Sequence, residues 1–282
     1  MERTNKELIA VAGATGHQGG AVVRALQAGN QFKVASVAGA ARRNIGGATA
    51  FRLAQEGMKV TVADHNEATA RAVADQTRSA GGQAGTRVFD ITQEASVAQL
   101  IDSTVMEFGA LHALFNVAAD LSVNNIGRDT DVTSVPLDVW QHTIDVTLTG
   151  YMYGIRHALP LLIKQVGGVI ENTTSSEVWM GEDVRVDYQT AKSGLLGLTR
   201  HTATLGGKHG VRGNLVAPGF TLTEAAFKNT TEEYRKQMQA SVRSPRLGAP
   251  EYIAAIVAFL FSDDAAYITD QTILVDGAAN LT

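Results

Sequence analysis

Residues 32–46 read Phe32-Lys33-Val34-Ala35-Ser36-Val37-Ala38-Gly39-Ala40-Ala41-Arg42-Arg43-Asn44-Ile45-Gly46. A mostly apolar, strand-like run (residues 32–38) passes into a glycine loop, and the loop opens a helical stretch over residues 47–56. Glycine in such a loop lets the backbone approach a pyrophosphate, and the helix N-terminus attracts it. Gly39, Arg43, Asn44, Ile45 and Gly46 are therefore candidate phosphate-binding residues. A second strand-like run, residues 58–63, leads to Asp64, which lies 64 − 46 = 18 residues after Gly46. A carboxylate at that place accepts hydrogen bonds from an adenosine ribose diol and repels a 2′-phosphate. That favours NAD over NADP. His65 and Asn66 follow and offer no Arg for a phosphate.

The same alternation runs through the chain. Residues 86–89, 111–115, 168–173, 213–217 and 272–275 read as further strands, apolar and uninterrupted as strands covered on both faces would be. Residues 67–80, 96–108, 137–164, 188–206 and 250–261 read as helices. Strand–helix alternation predicts an α/β fold, a single doubly wound Rossmann-type domain with a mainly parallel sheet. Residues 120–135 and 221–247 are polar and do not read as core; a short helix fits 231–240. Both follow predicted strand ends, where a doubly wound sheet binds its ligand, so a lid or substrate loop is expected there.

A rival glycine loop precedes all this. Gly13-Ala14-Thr15-Gly16-His17-Gln18-Gly19 also follows a strand-like run, residues 8–12, and leads into an apolar helical run, residues 21–26. In that register Arg42 and Arg43 fall beyond the second strand, where they could meet a 2′-phosphate. Only the loop at 39–46 continues in phase with an acidic strand end, so it is preferred. The chain then divides into an N-terminal extension, residues 1–30, with its own strand, loop and helix, and a catalytic domain, residues 31–282.

Composition narrows the function classes. A net charge of −4 gives no general basic footprint, which argues against nucleic acid as the partner. The absence of Cys excludes a thiolate nucleophile, a disulfide framework and a zinc–thiolate site. The seven His residues show no metal-ligand spacing, so no metal is expected. The apolar run near the C-terminus, residues 253–261, is too short to span a bilayer, and residues 1–7 are unlike a signal peptide. A soluble, cytoplasmic protein is the expectation.

The chemistry is carried by Tyr188-Gln189-Thr190-Ala191-Lys192. Tyr188 and Lys192 stand one helical turn apart and share a face. An ammonium beside a phenol favours the phenolate, and a phenol so tuned can exchange a proton with an alcohol. With 6 Tyr and 8 Lys in 282 residues, chance alone gives about 0.17 such pairs. Ser175, 13 residues upstream at the end of a strand-like run, makes the triple far rarer and completes a hydroxyl-handling site. Glu182, Asp183, Arg185 and Asp187 between them read as a solvated loop. Trp140 and Tyr151 read as core or interface.

In their order these elements resemble the short-chain dehydrogenase/reductase family, from residue 32 to the C-terminus. Ser175, Tyr188 and Lys192 match the family's catalytic residues. Asp90-Ile91 matches its adenine-contacting pair, and residues 114–119, with Asn116, its Asn-Asn-Ala-Gly strand end. Pro218 and Gly219, with Thr221 and Thr223, match the segment that meets the nicotinamide amide. Residues 246–251 and 268–277 match its C-terminal signature. The N-terminal 30 residues resemble the opening of NmrA-like, atypical members. The resemblance implies hydride transfer between a nicotinamide cofactor and a small-molecule secondary alcohol or ketone. Tyr188 would be the general acid/base, Lys192 would hold the nicotinamide ribose, and Ser175 would bind the substrate oxygen. It also implies a homo-oligomer, dimer or tetramer, built on the helices at 137–164 and 188–206.

The departures from the family pattern are Ala38, Asn44, Val117, Ala119 and a loop one residue longer than usual. Thr147 stands where the family has an Asn that supports a water relay to the Lys. These changes and the NmrA-like opening suit an alternative, a dinucleotide sensor that binds without turnover. The intact triple of Ser175, Tyr188 and Lys192 favours the enzyme.

Overall fold

The computed structural model describes residues 44–122 and 124–281, together with the backbone of residues 9–13. Seven strands form one parallel sheet in the order β3-β2-β1-β4-β5-β6-β7. They are β1 (Ile9–Gly13), β2 (Lys59–Asp64), β3 (Gln83–Val88), β4 (Ala113–Asn116), β5 (Gly168–Thr173), β6 (Val211–Pro218) and β7 (Thr272–Val275). The strand order reverses between β1 and β4, the switch point of a doubly wound fold. The chain has the Rossmann-like α/β architecture expected of it.

One expectation changes at the centre. The strand that pairs with β2, from Ile9 opposite Lys59 to Gly13 opposite Ala63, is Ile9–Gly13. It also meets β4, with Ala12 opposite Phe115. A strand assigned to an N-terminal extension thus pairs within the sheet itself. Residues 32–38, expected in that position, lie outside the described residues, as do Gly39, Arg43, Gly16 and Gly19.

Helices cover both faces. α1 (Ile45–Gln55), α2 (Glu67–Ser79) and α9 (Pro250–Phe261) enclose an apolar core against one face with Val60, Val62, Phe115 and Val216. α3 (Glu94–Phe108), α5 (Gly150–Lys164) and α6 (Val186–Gly206) cover the other, around Ile101, Leu114, Leu159 and Ile170. Asn44 and Asn66 cap α1 and α2 by accepting from the amides of Gly47 and Thr69. The expected helix over 137–164 forms without interruption and carries one π-helical insertion. It comprises α4 (Leu137–Ile144), a π-helical stretch at Asp145–Thr149, and α5. The polar segment 221–247 folds into two short helices, α7 (Glu224–Asn229) and α8 (Glu232–Ser241). No described helix is long and apolar enough to cross a membrane.

Glu171 interrupts the apolar strand β5 and is fully buried. Its Oε1 accepts from Asn214 Nδ2 at 2.9 Å, and its Oε2 has no partner. Burial pushes this carboxyl up to about 8, against the opposing hydrogen bond from Asn214 and the charge of Arg212. A carboxyl raised in the folded state stabilises the fold fully below its unfolded pKa, near 4.5, and that contribution falls away as pH rises toward 8. Glu171→Gln should therefore flatten the fall in stability between pH 5 and 8. At pH 8 it should exceed the parent by roughly 1–4 kcal/mol in urea unfolding.

Candidate active site

A parallel sheet delivers all its strand ends to one edge, and the sequence-predicted residues gather there. Asp64 ends β2, Asn116 ends β4 and Pro218 ends β6. Asp90 and Ile91 lie two and three residues beyond β3, and Ser175 two beyond β5. Asp64 is buried; its Oδ1 accepts from Asn66 N at 2.8 Å, while its Oδ2 is buried with no partner. Burial lifts this carboxyl to about 7, against the backbone hydrogen bonds of Asn66 and His65. An orphaned acceptor at that place suits a diol.

Asn116 Nδ2 donates to Asn172 Oδ1 at 2.9 Å, and Asn172 Nδ2 to Thr199 Oγ1 at 2.8 Å, which ties β4 through β5 to α6. A methyl on Gly150 would lie 2.4 Å from Ile91 Cγ1, so only glycine lets the Asp90–Ile91 turn settle against the head of α5. A methyl on Gly219 would lie 2.7 Å from the Asp276 Cα, which fixes the turn after β6 against the end of β7. Thr221 Oγ1 donates to Gly219 O at 2.9 Å, and Thr223 caps α7 through Ala226 N. At the head of α1, Asn44 Oδ1 accepts from Gly47 N at 2.6 Å.

Ser175 and Lys192 are buried, and Tyr188 is half-buried. Tyr188 sits in the first turn of α6, near enough to the Ser175 hydroxyl for that group to act on its phenol. Burial and then the Glu177 carboxylate push the phenol up to about 12, while Arg185 and Ser175 act the other way. Lys192 Nζ donates to Thr173 O at 2.6 Å and to Tyr151 Oη at 3.4 Å. Burial pulls its ammonium down to about 7, against the charge of Glu177. Lys192 stands over the Tyr188 ring, but a second cation stands closer. The Lys192 Nζ lies 5.6 Å from the Tyr188 ring centroid, bound elsewhere, while the Arg185 guanidinium carbon stands 4.2 Å from that centroid.

Three residues given blander roles by sequence support the site. Tyr151 is fully buried, donates to Ala118 O at 2.9 Å and receives from Lys192. Arg185 is clamped rather than solvated, with Nε 3.1 Å from Asp129 and Nη1 2.7 Å from Glu177. Asp187 is fully buried and its Oδ2 accepts from Thr143 Oγ1 at 2.5 Å. Thr143 in turn receives from Asn125 Nδ2, which joins α6, α4 and the loop at 120–135. The signal for Asp187 lay in helical periodicity, because it faces α4 when Tyr188 faces the site. For Arg185 no sequence signal exists, since its partners come from distant turns. Thr147 is buried within the π-helical stretch, a feature that clusters at functional sites.

Residues 39–280 match the family described as enoyl-(acyl carrier protein) reductase. The chain belongs to the short-chain dehydrogenase/reductase family. It is 35% identical over 259 residues to the 7alpha-hydroxysteroid dehydrogenase of Bacteroides fragilis, covering 89% of this chain and 96% of that one. It is 34% identical over 251 residues to the cyclohexanol dehydrogenase of an Acinetobacter species, covering 88% and 96%. A solved structure from Burkholderia xenovorans assigned to the short-chain dehydrogenases/reductases superposes with a TM-score of 0.81 at 25% identity, covering 98% and 97%. The family match begins at Gly39, so β1 precedes it.

The buried network on Asp187 gives a stability test. Asp187→Ala would leave the Thr143 hydroxyl without its acceptor at a fully buried site. A loss of about 1–3 kcal/mol is expected in denaturant unfolding, and Asp187→Asn should recover part of it.

Proposed function

We propose that this protein is an NAD-dependent oxidoreductase that interconverts a secondary alcohol and a ketone. The observation that carries the reading is the convergence of Ser175, Tyr188 and Lys192 at the sheet edge that also holds the orphaned carboxylate oxygen of Asp64. The relatives act on ring alcohols by their names, a hydroxysteroid and cyclohexanol, which suits a cyclic or otherwise secondary alcohol here.

A bound nicotinamide cofactor would accept or supply the hydride. Tyr188 exchanges the proton of the substrate oxygen as general acid/base, and Ser175 donates a hydrogen bond that stabilises charge on that oxygen. Lys192 holds the nicotinamide ribose and receives its own support from Thr173 O and Tyr151. Asp64 accepts from the adenosine ribose diol and disfavours a 2′-phosphate, so NAD is preferred to NADP. Asn44, Ile45 and Gly46 at the head of α1 would hold the pyrophosphate, together with Gly39 and Arg43, which lie outside the described residues. Asp90 and Ile91 meet the adenine; Asn116, Pro218, Gly219, Thr221 and Thr223 complete the cofactor cradle. Burial of Lys192 leaves its ammonium easily neutralised, so an anionic nucleotide nearby would restore its charge. Two copies or four would pack through α5 and α6.

Fluorescence titration with NAD(H) and NADP(H), followed by a panel of secondary alcohols and ketones, tests the reading. Tyr188→Phe should cut turnover by at least about a hundredfold with dinucleotide affinity retained. Near-normal turnover in that variant, or tight NAD binding with no turnover anywhere on the panel, would overturn it. The second outcome would favour a dinucleotide sensor.

Asp64 supplies a separate pH test. The ionised carboxylate is the better acceptor, so NAD affinity should rise as pH passes upward through about 7. Asp64→Asn should abolish that rise, and Asp64→Ala should weaken NAD about tenfold while narrowing its advantage over NADP. Unchanged discrimination in both variants would count against Asp64 as the ribose ligand.

A further inference from the structure

Arg185 occupies a position that the reaction so far does not use. It precedes α6 with a left-handed backbone, φ 62°, which a residue with a side chain adopts only when its surroundings hold it there. Its amide donates to Asp129 O at 2.6 Å, and its guanidinium bridges Asp129 and Glu177 at 3.1 and 2.7 Å. Those two carboxylates come from the loop at 120–135 and from the turn that follows Ser175. The third face of the guanidinium lies over the Tyr188 ring at 4.2 Å. A cation over a phenol face is attracted to the ring and more strongly to the phenolate.

We infer that Arg185 is a positioning residue for Tyr188, which seats the phenol ring and lends it positive charge, with Glu177 as its opposing partner. The inference rests on Tyr188 being the proton-transfer group proposed above. The Asp129–Arg185–Glu177 bridge ties three segments together and holds the guanidinium in place over the Tyr188 ring. Glu177 limits the charge that reaches the phenol, and its Oε2 is buried without a partner. The two act in opposite directions on Tyr188. The other polar or charged groups at hand are the Ser175 hydroxyl, Lys192 and Tyr151, with Glu182 and Tyr234 acting on the Glu177–Arg185 pair.

The test is a titration of the intact protein labelled with [13Cζ]tyrosine, with Tyr188 assigned through Tyr188→Phe. Glu177→Gln should lower the Tyr188 midpoint by about one pH unit. Adding Arg185→Met to Glu177→Gln should raise it again by a similar amount, and adding Arg185→Lys should restore an intermediate value. A midpoint in Glu177→Gln that is the same with and without Arg185→Met would overturn the inference. So would shifts of the same sign for Glu177→Gln and for the added Arg185→Met, which mere loosening of the site would produce. Should the Met variant fail to fold, the Lys variant carries the same comparison with a smaller shift. Failure of the alcohol–ketone reading would show as absent turnover in the parent and would leave this titration untouched.

Discussion

A buried ammonium organises this site. Lys192 is almost wholly removed from water, and a charge so placed is costly unless hydrogen bonds replace its hydration. It finds two partners, the Thr173 carbonyl at the end of β5 and the Tyr151 hydroxyl near the head of α5. Tyr151 is itself anchored on Ala118 O beyond β4, and Thr174 Oγ1 returns a hydrogen bond to the Lys192 carbonyl. One side chain thus fixes the mutual position of β4, β5, α5 and α6. The small residues nearby follow from the same closeness: a methyl on Gly154 would lie 2.9 Å from Asn116 Oδ1, and one on Gly194 2.9 Å from Leu148 Cδ2. Ser175 and Tyr188 are set by elements that this ammonium has already aligned.

The electrostatics of Tyr188 are a balance between unlike neighbours. Burial and Glu177 favour the neutral phenol; Arg185 and Ser175 favour the phenolate. Lys192 stands by the ring yet spends its hydrogen bonds on Thr173 and Tyr151. A phenol high in the cofactor-free protein and a lysine easily neutralised are both consequences of removing water.

Much of this was legible in the sequence, for definable reasons. The strand-like runs at 168–173 and 272–275 located β5 and β7 to the residue, β5 despite its buried Glu171 and Asn172. Tyr188 and Lys192 were readable because helical spacing alone puts them on one face. Asp187 and Arg185 were misread as solvated because charge in a short segment usually means water, and the partners that bury them, Thr143, Asp129 and Glu177, lie 8 to 56 residues away. The π-helical turn within the long helix left no sequence signal because Asp145–Thr149 carries no Pro or Gly, and such a turn leaves the hydrophobic pattern nearly intact. The short helix expected over 231–240 is α8, and the structure shows Thr231 capping it by accepting from Tyr234 N.

Each glycine segment contributes described residues near the centre of the sheet, Gly13 at the end of β1 and Asn44–Gly46 at the head of α1. Gly13 closes β1 beside Ala63, one residue before Asp64, so the first segment supplies the central strand. Helix α1, whose N-terminus is the anion-attracting element of such a fold, begins after Asn44 and belongs to the second segment. The family match likewise starts at Gly39. A pyrophosphate needs the free amides at a helix head more than it needs the strand before it, because the dipole and the amides supply the attraction. The Asn44 side chain accepts from the Gly47 amide at that head. The strand of residues 9–13 holds the place beside β2, and the helix head at Asn44–Gly47 belongs to the segment that follows.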